Sequence, residues 1–394
     1  MSSHTHPAVS PGAAVRVAVA DIFRRHAPRY RRERVLTPGQ GKVLRDVVAC
    51  RTAALGGHVD VCRVCDHRTV GYNSCRNRHC PTCQGIQAAK WVAGRVDRLV
   101  PTHYFHVVFT LPSELRAVAL ANPGVVYGLL FEAATATLLE LAASRWQAQP
   151  AVTAVLHTWT RQMLLHPHLH CVVSGGGLSD DGKKWVACRK NFLFPVKVLS
   201  RLFRGKLINA LVVARNAGRL KFVGTSAQLE NPIAWEALCS TLYRSAFVVY
   251  AKRPFGGPEQ VLRYLGRYTH RVAISSSRLV SADDDAVVFR THGQQAVRIR
   301  PEEFLRRFLL HILPDGFRKI RHFGLLAPAN VSTRLAAAQL IVNSLDRRRR
   351  RETPDIPPAR TFAMPDGTCP DCGGPLVRIV VHRATPPPTV VLIA

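Results

Sequence analysis

The order of apolar and polar residues divides the chain into segments of helical and strand-like pattern. Helices are predicted over residues 17–48 with a break at 37–39, and over residues 84–99, 113–149, 196–217, 231–246, 259–270, 301–312 and 329–345. Strands are predicted over residues 103–111, 164–173 and 184–188, with a hairpin around the aspartates at 283–285. This mixture predicts an α/β (α+β) fold, and the three glycines at 175–177 predict a turn.

The charge of the chain indicates a polyanionic partner. Its 394 residues include 55 lysines and arginines against 25 acidic residues, a formal net charge of +30. Such an excess opposes folding by self-repulsion unless opposite charge balances it, so DNA or RNA is the first partner to expect, ahead of an anionic membrane surface. Most of the basic residues are arginines, whose planar donors suit phosphate.

Nothing in the sequence predicts a membrane segment. The longest apolar run, residues 125–143, contains Glu132 and Glu140 and predicts a buried or amphipathic helix. The N-terminus lacks the basic and apolar regions of a signal peptide, so we expect a cytoplasmic protein, associated with the nucleoid if DNA is its partner. The 11 cysteines are then expected to be metal ligands or buried residues rather than disulfides.

Cysteine and histidine are concentrated between residues 50 and 83. Two Cys-x-x-Cys pairs, Cys62 with Cys65 and Cys80 with Cys83, have the spacing of a zinc ribbon, in which each pair chelates from one tight turn. Together the two pairs are predicted to hold one Zn²⁺ in a tetrahedron of thiolates. The further candidates, for a second zinc, are Cys50, His58, Cys75 and His79. An interleaved pairing between two sites stays open.

The last part of the chain contains half of another such site. Cys369 and Cys372 form a third Cys-x-x-Cys pair, which needs His382, a partner chain or ligands from elsewhere, or else is a degenerate remnant. Ahead of it, residues 347–351 are consecutive arginines, for which we favour non-specific DNA binding over a solvated charge run.

Two histidines share one face of the predicted strand at 164–173. His168 and His170 point to the same side, about 7 Å apart, with Leu169 packed behind them. Imidazoles in this arrangement can share one metal ion, whereas a lone strand histidine is more often a core residue. His166 lies on the same face and is interpreted as a flank of the pair.

A second paired motif lies in the predicted helix at 259–270. Tyr264 and Tyr268 lie one turn apart on one helical face. The interleaved basic residues are Arg263, Arg267 and Arg271. Tyrosine is a poor nucleophile because its free pKa is about 10. A metal ion bound by the histidines, together with the positive charge of the arginines, would let it attack a phosphodiester. Two tyrosines allow two successive strand transfers.

These motifs together resemble those of a known family. The segments HPHLHCVVSGGGLS and YLGRYTHRVAIS, behind a cysteine-rich front, resemble the two-tyrosine rolling-circle transposases of the HUH (His-hydrophobic-His) nuclease superfamily, the insertion sequence 91 group. The resemblance covers about residues 35–345, and its motifs come in the family's order.

The resemblance implies a reaction and its cofactors. It makes His168 and His170 ligands of Mg²⁺ or Mn²⁺, and Tyr264 and Tyr268 the nucleophiles. The implied reaction cleaves one DNA strand at an element end, leaving a 5′-phosphotyrosine and a free 3′-hydroxyl, and rejoins the strand at a target. Single-stranded DNA is then the partner, and neither a nucleotide cofactor nor a membrane is involved.

One further metal ligand, usual in HUH sites, is not identified by the sequence. His106, Gln162 and Gln260 are candidates, and none of them is preferred.

The resemblance also implies a domain organisation. An HUH nuclease core, with a central antiparallel sheet and helices on one face, follows a small domain that binds one or two Zn²⁺. The predicted parts are a tail and helix at 1–34, a zinc-binding DNA-recognition domain at 35–99, a catalytic domain at 100–345 and a basic, proline-rich tail at 346–394. In the zinc-binding domain, Arg76 and Arg78 are predicted to contact DNA phosphates.

Two other functions fit parts of the pattern. A plasmid replication initiator or relaxase-like nickase shares the histidine and tyrosine pairs but usually lacks such a cysteine-rich front, and the sequence lacks the phosphate-binding motif of a relaxase helicase. A non-enzymatic zinc-ribbon DNA-binding protein explains the cysteines and the charge, but leaves the joint occurrence of paired histidines and paired tyrosines unexplained.

Overall fold

A computed structural model of the protein describes residues 17–252, 266, 272–293, 295–349 and 367–381. Its helices are α1 (Val19–Glu33), α2 (Pro38–Ala49), α3 (Gln84–Val96), α4 (Arg116–Ala121), α5 (Pro123–Trp146), α6 (Val196–Asn216), α7 (Pro232–Arg244), α8 (Pro301–Leu309) and α9 (Ala336–Arg349). Its strands are β1 (Gly57–Cys62), β2 (Arg68–Tyr72), β3 (Tyr104–Thr110), β4 (Ala148–Trp159), β5 (Leu165–Ser179), β6 (Trp185–Ala187), β7 (Val249–Lys252), β8 (Leu279–Ala282), β9 (Val287–Arg290), β10 (Ala296–Ile299), β11 (Ile320–Gly324) and β12 (Leu376–Val381). The predicted helix at 259–270 lies outside the described residues, apart from residue 266.

The largest sheet has six strands, with the histidine strand β5 at its centre. The strand order is β11-β4-β5-β3-β7, and β6 pairs with one end of β5. The pairings in this sheet are antiparallel. The predicted central antiparallel sheet is therefore confirmed.

Helices α5 and α6 cover one face of this sheet. Alternate residues of the central strands, such as Val107, Leu156 and Leu169, point to these helices and form the main apolar core with them. Helix α5 is long and apolar enough to cross a membrane, but 67% of its most apolar 18-residue stretch is buried inside the protein. Packing on the sheet accounts for its apolar composition, as expected of a core helix.

The opposite face of the sheet carries His168 and His170. A small apolar cluster covers part of this face, formed by Tyr104, Val155, Val172, Trp91, Leu99 and Ile320. The hydroxyl oxygen of Tyr104 accepts a hydrogen bond from the backbone N–H of Val100 at 2.9 Å. This contact ties the segment after α3 to the sheet beside the histidines.

The turn predicted at the three glycines is wrong, because β5 continues through them to Ser179. Neighbouring strands approach the glycines closely: a Cβ on Gly177 would lie 2.7 Å from the carbonyl oxygen of Gln149 on β4. A Cβ on Gly176, where φ is +145°, would lie 2.8 Å from the indole nitrogen of Trp185 on β6. The glycines therefore permit close strand packing rather than a chain reversal.

Gly177→Ala is expected to destabilise the protein by about 1–3 kcal/mol, since the added methyl group collides with strand backbone. Gly205→Ala in α6, where nothing lies within 4 Å of the added Cβ, is the matched control. It is expected to keep or raise the stability, by up to about 1 kcal/mol. Denaturant midpoints of both variants test this, and equal midpoints would contradict the close approach.

Helices α1 and α2 pack with elements from much later in the chain. Phe23 of α1 contacts Phe308 of α8 edge to face, with ring centroids 4.9 Å apart. Their common core also contains Phe289 of β9, in the sheet of β10, β9 and β8. Helix α1 thus packs across the boundary predicted at residue 35, because its apolar face is buried both by α2 and by residues distant in sequence.

A third sheet joins the last described strand to a hairpin from the first quarter of the chain. Strands β1 and β2 form a hairpin, and β12 pairs antiparallel with β1 from Cys62 opposite Leu376 to Gly57 opposite Val381. The predicted C-terminal tail therefore contains an ordered strand. A six-residue strand carries no local signal of which edge strand it joins, so the sequence did not indicate this pairing.

Candidate functional site

Three histidines meet on the sheet face opposite α5 and α6. His157 of β4 and His168 and His170 of β5 each place a ring nitrogen within 4.8 Å of the others. The ring centroids are 4.8 Å apart between His168 and His170, and 4.3 Å apart between His157 and His170. We call these residues the histidine site. Imidazole nitrogens grouped in this way can bind one metal ion.

Strand register sets the rings side by side. His157 is the direct antiparallel partner of His168, and Val155 is the direct partner of His170. Direct partners share a face of a sheet, so all three rings point away from the main core. The ring of His157 also stacks on Trp159, with centroids 4.8 Å apart.

Hydrogen bonds orient two of the rings. Nδ1 of His168 donates to the carbonyl oxygen of His166 at 2.6 Å. Nδ1 of His170 lies 2.7 Å from Nε2 of His106 on β3. A histidine ligand commonly fixes its orientation through the nitrogen that does not bind the metal. Nε2 of each ring is therefore the nitrogen left for a metal ion.

Burial keeps the site neutral. Loss of solvent lowers the pKa of His168 to about 4 and lowers the pKa values of His170 and His157 well below 6.5. The same cause lowers the pKa of His106. Because neutral imidazole is the metal-binding form, the histidine site is in its ligand state at neutral pH.

His157 is the member of this site that the sequence analysis missed. Of the candidates for a third ligand, His106 instead contacts His170, and Gln162 is exposed in the turn after β4. Gln260 lies outside the described residues. The alternation of β4 places His157 on one face of its own strand, but it does not show which strand lies beside it.

The predicted nucleophiles lie outside the described residues. These nucleophiles are Tyr264 and Tyr268. The basic residues predicted beside them also lie outside the described residues, namely Arg263, Arg267 and Arg271. The described chain stops at Lys252 and, apart from residue 266, resumes at Val272. Lys252 ends β7, which pairs with β3 in the sheet that carries the histidine site.

Four cysteines form a cluster at the start of α3. Cys50 caps the end of α2, Cys83 caps the start of α3, and Cys75 and Cys80 lie in the loop between β2 and α3. The four sulfurs lie within 4.8 Å of one another, and those of Cys75 and Cys83 are 3.8 Å apart. Thiolates about 2.3 Å from a tetrahedral Zn²⁺ are also about 3.8 Å apart. This front cysteine site fits zinc.

The structure corrects the predicted pairing of the two Cys-x-x-Cys motifs. Cys62 and Cys65 lie at the turn of the β1–β2 hairpin, next to Cys369 and Cys372. The pair Cys80 and Cys83 belongs to the front cysteine site, beyond the other end of that hairpin. The hairpin therefore separates two motifs that the sequence analysis placed around one zinc ion.

The two histidines predicted as zinc ligands belong to neither cysteine cluster. Nε2 of His79 accepts a hydrogen bond from the backbone N–H of Leu313 at 3.1 Å, which uses the lone pair a metal needs. Burial, with Arg78 nearby, lowers the pKa of His79 to about 3. Nε2 of His58 lies 3.7 Å from a carboxylate oxygen of Asp60. Both are better explained as structural residues.

The two arginines predicted to contact DNA in this region differ in their surroundings. Arg78 donates to the carbonyl oxygens of Leu313, Pro314 and Phe317, at 3.3, 2.6 and 2.5 Å. Its guanidinium thus holds the loop after α8 instead of projecting into solvent. Arg76 is exposed, with a positive φ of 53°.

Two family models match the sequence. One, described as "Transposase zinc-binding domain", matches residues 22–111, and the other, described as "Putative transposase", matches residues 151–334. The first range contains the front cysteine site, and the second contains the histidine site and the two tyrosines.

Two similar proteins are named as transposases. The chain is 50% identical over 317 residues to "Putative transposase y4qJ" of Sinorhizobium fredii (strain NBRC 101917 / NGR234), covering 78% of this chain and 80% of that protein. It is 28% identical over 289 residues to "Transposase for insertion sequence element IS801" of Pseudomonas savastanoi pv. phaseolicola, covering 71% of this chain and 68% of that protein.

Two solved structures are more distantly similar. The conjugative relaxase TrwC in complex with mutant OriT DNA is 13% identical with a TM-score of 0.26, covering 54% of this chain and 96% of that chain. A metal-free structure of TrwC with OriT DNA is 15% identical with a TM-score of 0.22, covering 42% of this chain and 71% of that chain.

Proposed function

This chain belongs to the transposases of the insertion sequence 91 family, and we propose that it nicks and rejoins single-stranded DNA at the ends of its element through a 5′-phosphotyrosine intermediate. The histidine site carries this proposal. It lies on neighbouring strands of the central sheet and within the range matched by the transposase model.

The donor set of the histidine site fits a divalent metal ion. The three rings are neutral, their nitrogens are close together, and hydrogen bonds at Nδ1 orient two of them. Three protein ligands leave further positions for substrate, as in catalytic rather than structural metal sites. A metal bound there supplies a Lewis acid that polarises the scissile phosphate.

Tyr264 and Tyr268 are the proposed nucleophiles. The phenolate oxygen of one attacks phosphorus, the bond from phosphorus to the 3′-oxygen breaks, and that oxygen takes up a proton to become a free 3′-hydroxyl. The phenol proton passes to solvent. Because the phosphotyrosine keeps a phosphodiester bond, a later attack by a 3′-hydroxyl rejoins the strand without a nucleotide cofactor. The proposed role of Arg263, Arg267 and Arg271 is to stabilise the charge on the phosphate.

The strand at the edge of the sheet offers groups that suit a single DNA strand. Tyr250 of β7 pairs with Val108, which pairs with His170, so the three lie in one row on the same face. Tyr250 is 43% exposed, and Lys252 on the same face is also exposed. An exposed aromatic ring stacks on unpaired bases and an adjacent cation binds phosphate. We therefore place the DNA strand along β7, beside the histidine site.

The front cysteine site is proposed to bind Zn²⁺ and to shape the DNA-recognition part of the chain. Four thiolates leave no position for substrate, so this zinc would be structural. The exposed Arg76 follows Cys75 directly and is the proposed phosphate contact here.

A nicking assay on the purified full chain tests the proposal. With Mn²⁺ and a single-stranded oligonucleotide from the element's own end, we expect one nick, with the 5′ end of the downstream fragment attached to protein in a denaturing gel. A duplex of the same sequence and a scrambled single strand are the controls. Cleavage without attachment would contradict the phosphotyrosine. No cleavage of either element end would contradict the nuclease and favour a DNA-binding protein without enzymatic activity.

The nitrogen-only ligand set predicts a metal preference. Imidazole binds Mn²⁺ more readily than Mg²⁺, which prefers oxygen ligands. Half-maximal nicking is therefore expected at an Mn²⁺ concentration about 10-fold or more below that for Mg²⁺. Titrating the nicking rate with each chloride salt measures this, at constant ionic strength because DNA binding depends on salt. If half-maximal nicking needed the same concentration of Mn²⁺ and Mg²⁺, an additional oxygen ligand would determine which metal ion the site prefers.

A further inference from the structure

Four cysteines from two parts of the chain that are far apart in sequence meet at the turn of the β1–β2 hairpin. They are Cys62, Cys65, Cys369 and Cys372, and their sulfurs lie within 4.8 Å of one another. We propose that this terminal cysteine site binds a second Zn²⁺, which ties the segment of residues 367–381 to the β1–β2 hairpin. The C-terminal pair lies outside both ranges matched by the family models, and the proposal does not depend on the nicking chemistry.

The distances between sulfurs fit a tetrahedral metal site. Sγ of Cys62 is 3.5 Å from Sγ of Cys372, and Sγ of Cys65 is 3.6 Å from Sγ of Cys369. Thiolates bound to one Zn²⁺ are about 3.8 Å apart. Sulfurs in a disulfide are about 2.05 Å apart, and all four residues are free cysteines. The arrangement is therefore that of a metal site rather than of a pair of disulfides.

The two Cys-x-x-Cys motifs have the same local backbone. In each, the residue after the second cysteine has a positive φ, 55° at Asp66 and 70° at Gly373. In each, the sulfur of the second cysteine accepts a backbone N–H from two residues further on, from His67 and from Gly374. The two motifs therefore present their cysteine sulfurs from equivalent tight turns, as two Cys-x-x-Cys pairs around one Zn²⁺ do.

The close approach of the two motifs depends on a glycine. A Cβ on Gly374 would lie 3.2 Å from Sγ of Cys62 and 2.7 Å from Cγ2 of Val64. Nδ1 of His67 lies 2.6 Å from a carboxylate oxygen of Asp371, which links the two turns from outside. The turn at Cys369 and Cys372 thus packs closely against the turn at Cys62 and Cys65.

The sheet formed by β12, β1 and β2 has little apolar core to hold it together. On β1 only Gly57 and Cys62 are buried, and β2 has no buried residue. Arg378 donates to both carboxylate oxygens of Asp60, at 2.7 and 2.9 Å, but such a surface ion pair adds little stability. Small units without a core need a cross-link such as a metal. The terminal cysteine site is placed to supply it.

Zinc content of the full chain tests the proposal. Cys369→Ser with Cys372→Ser is expected to lose one zinc ion per chain relative to the unsubstituted protein, measured by inductively coupled plasma mass spectrometry. The difference is used because the histidine site can also take up zinc. Cys188→Ser with Cys239→Ser, which changes two cysteines outside both clusters, is the matched control and should lose none. Equal zinc content in the two double variants would overturn the proposal.

Thiol alkylation of the unsubstituted protein gives a second test that misfolding of a variant cannot affect. Cys65 and Cys372 are exposed, so without a metal they should react quickly. With zinc bound, we expect the four thiols of the terminal cysteine site to be protected and to become reactive together when a chelator is added, as identified by peptide mass spectrometry. Rapid alkylation of Cys372 before chelation would overturn the proposal.

Discussion

Replacing His157 with alanine is expected to reduce metal-dependent nicking by about 100-fold or more, because one of three metal ligands is lost. His157 is only 3% exposed and lies directly opposite His168. The test is the cleavage rate of an element-end oligonucleotide over an Mn²⁺ titration. Weakened metal binding should move the half-maximal concentration upward and lower the maximal rate.

Two measurements separate a metal ligand from a structural residue at this position. Binding of the same oligonucleotide without metal should change little in His157→Ala, and the thermal unfolding midpoint in chelator measures the stability lost by removing a buried ring. His292→Ala is the matched control, since His292 is exposed in the loop between β9 and β10. It should nick normally. If His157→Ala lost nicking and DNA binding to the same extent, His157 would have a structural role. If it nicked at the normal rate, His157 would not be a metal ligand.

The double substitution Tyr264→Phe and Tyr268→Phe is expected to abolish the covalent protein–DNA adduct, because phenylalanine has no oxygen to attack phosphorus. The adduct is measured on a denaturing gel with end-labelled DNA. Binding of single-stranded DNA should remain, since the rings and the surrounding arginines are kept. An adduct that persists in the double variant would overturn the proposed mechanism.

The single variants test the proposal that the two tyrosines act in succession. One of Tyr264→Phe and Tyr268→Phe should still form an adduct while failing to complete the second transfer. Tyr243→Phe, at a tyrosine of α7 that is 51% exposed, is the matched control and should form the adduct at the normal rate. If both single variants complete two transfers, one tyrosine is enough and the second has another role.

Features that depend on a few neighbouring residues were predictable from the sequence. The spacing of His168 and His170 puts both rings on one face, whatever else packs around the strand. A break in the helical segment was predicted at residues 37–39, and the structure has it just before, between the end of α1 at Glu33 and the start of α2 at Pro38. The side chain of Thr37 caps α2 by accepting a hydrogen bond from the backbone N–H of Gln40. Each Cys-x-x-Cys motif likewise marked a turn that presents two thiols together.

The glycines at 175–177 show the limit of local reasoning. Glycine is favoured in turns because it adopts unusual backbone angles, and in strands where another backbone comes close. Which reason applies depends on β4 and β6, and the three glycines alone do not distinguish a turn from a strand. The assumption of a turn cut β5 short, although the strand extends to Ser179.

The sequence by itself therefore established the chemistry that is present: paired histidines, three Cys-x-x-Cys motifs and a large positive charge. Tertiary structure decided how these groups combine. It placed His157 beside His168 and brought Cys369 to Cys65, and it turned Arg78 inward. The physical reason is that strand order and register follow from the packing of whole faces, for which one segment offers many equivalent partners.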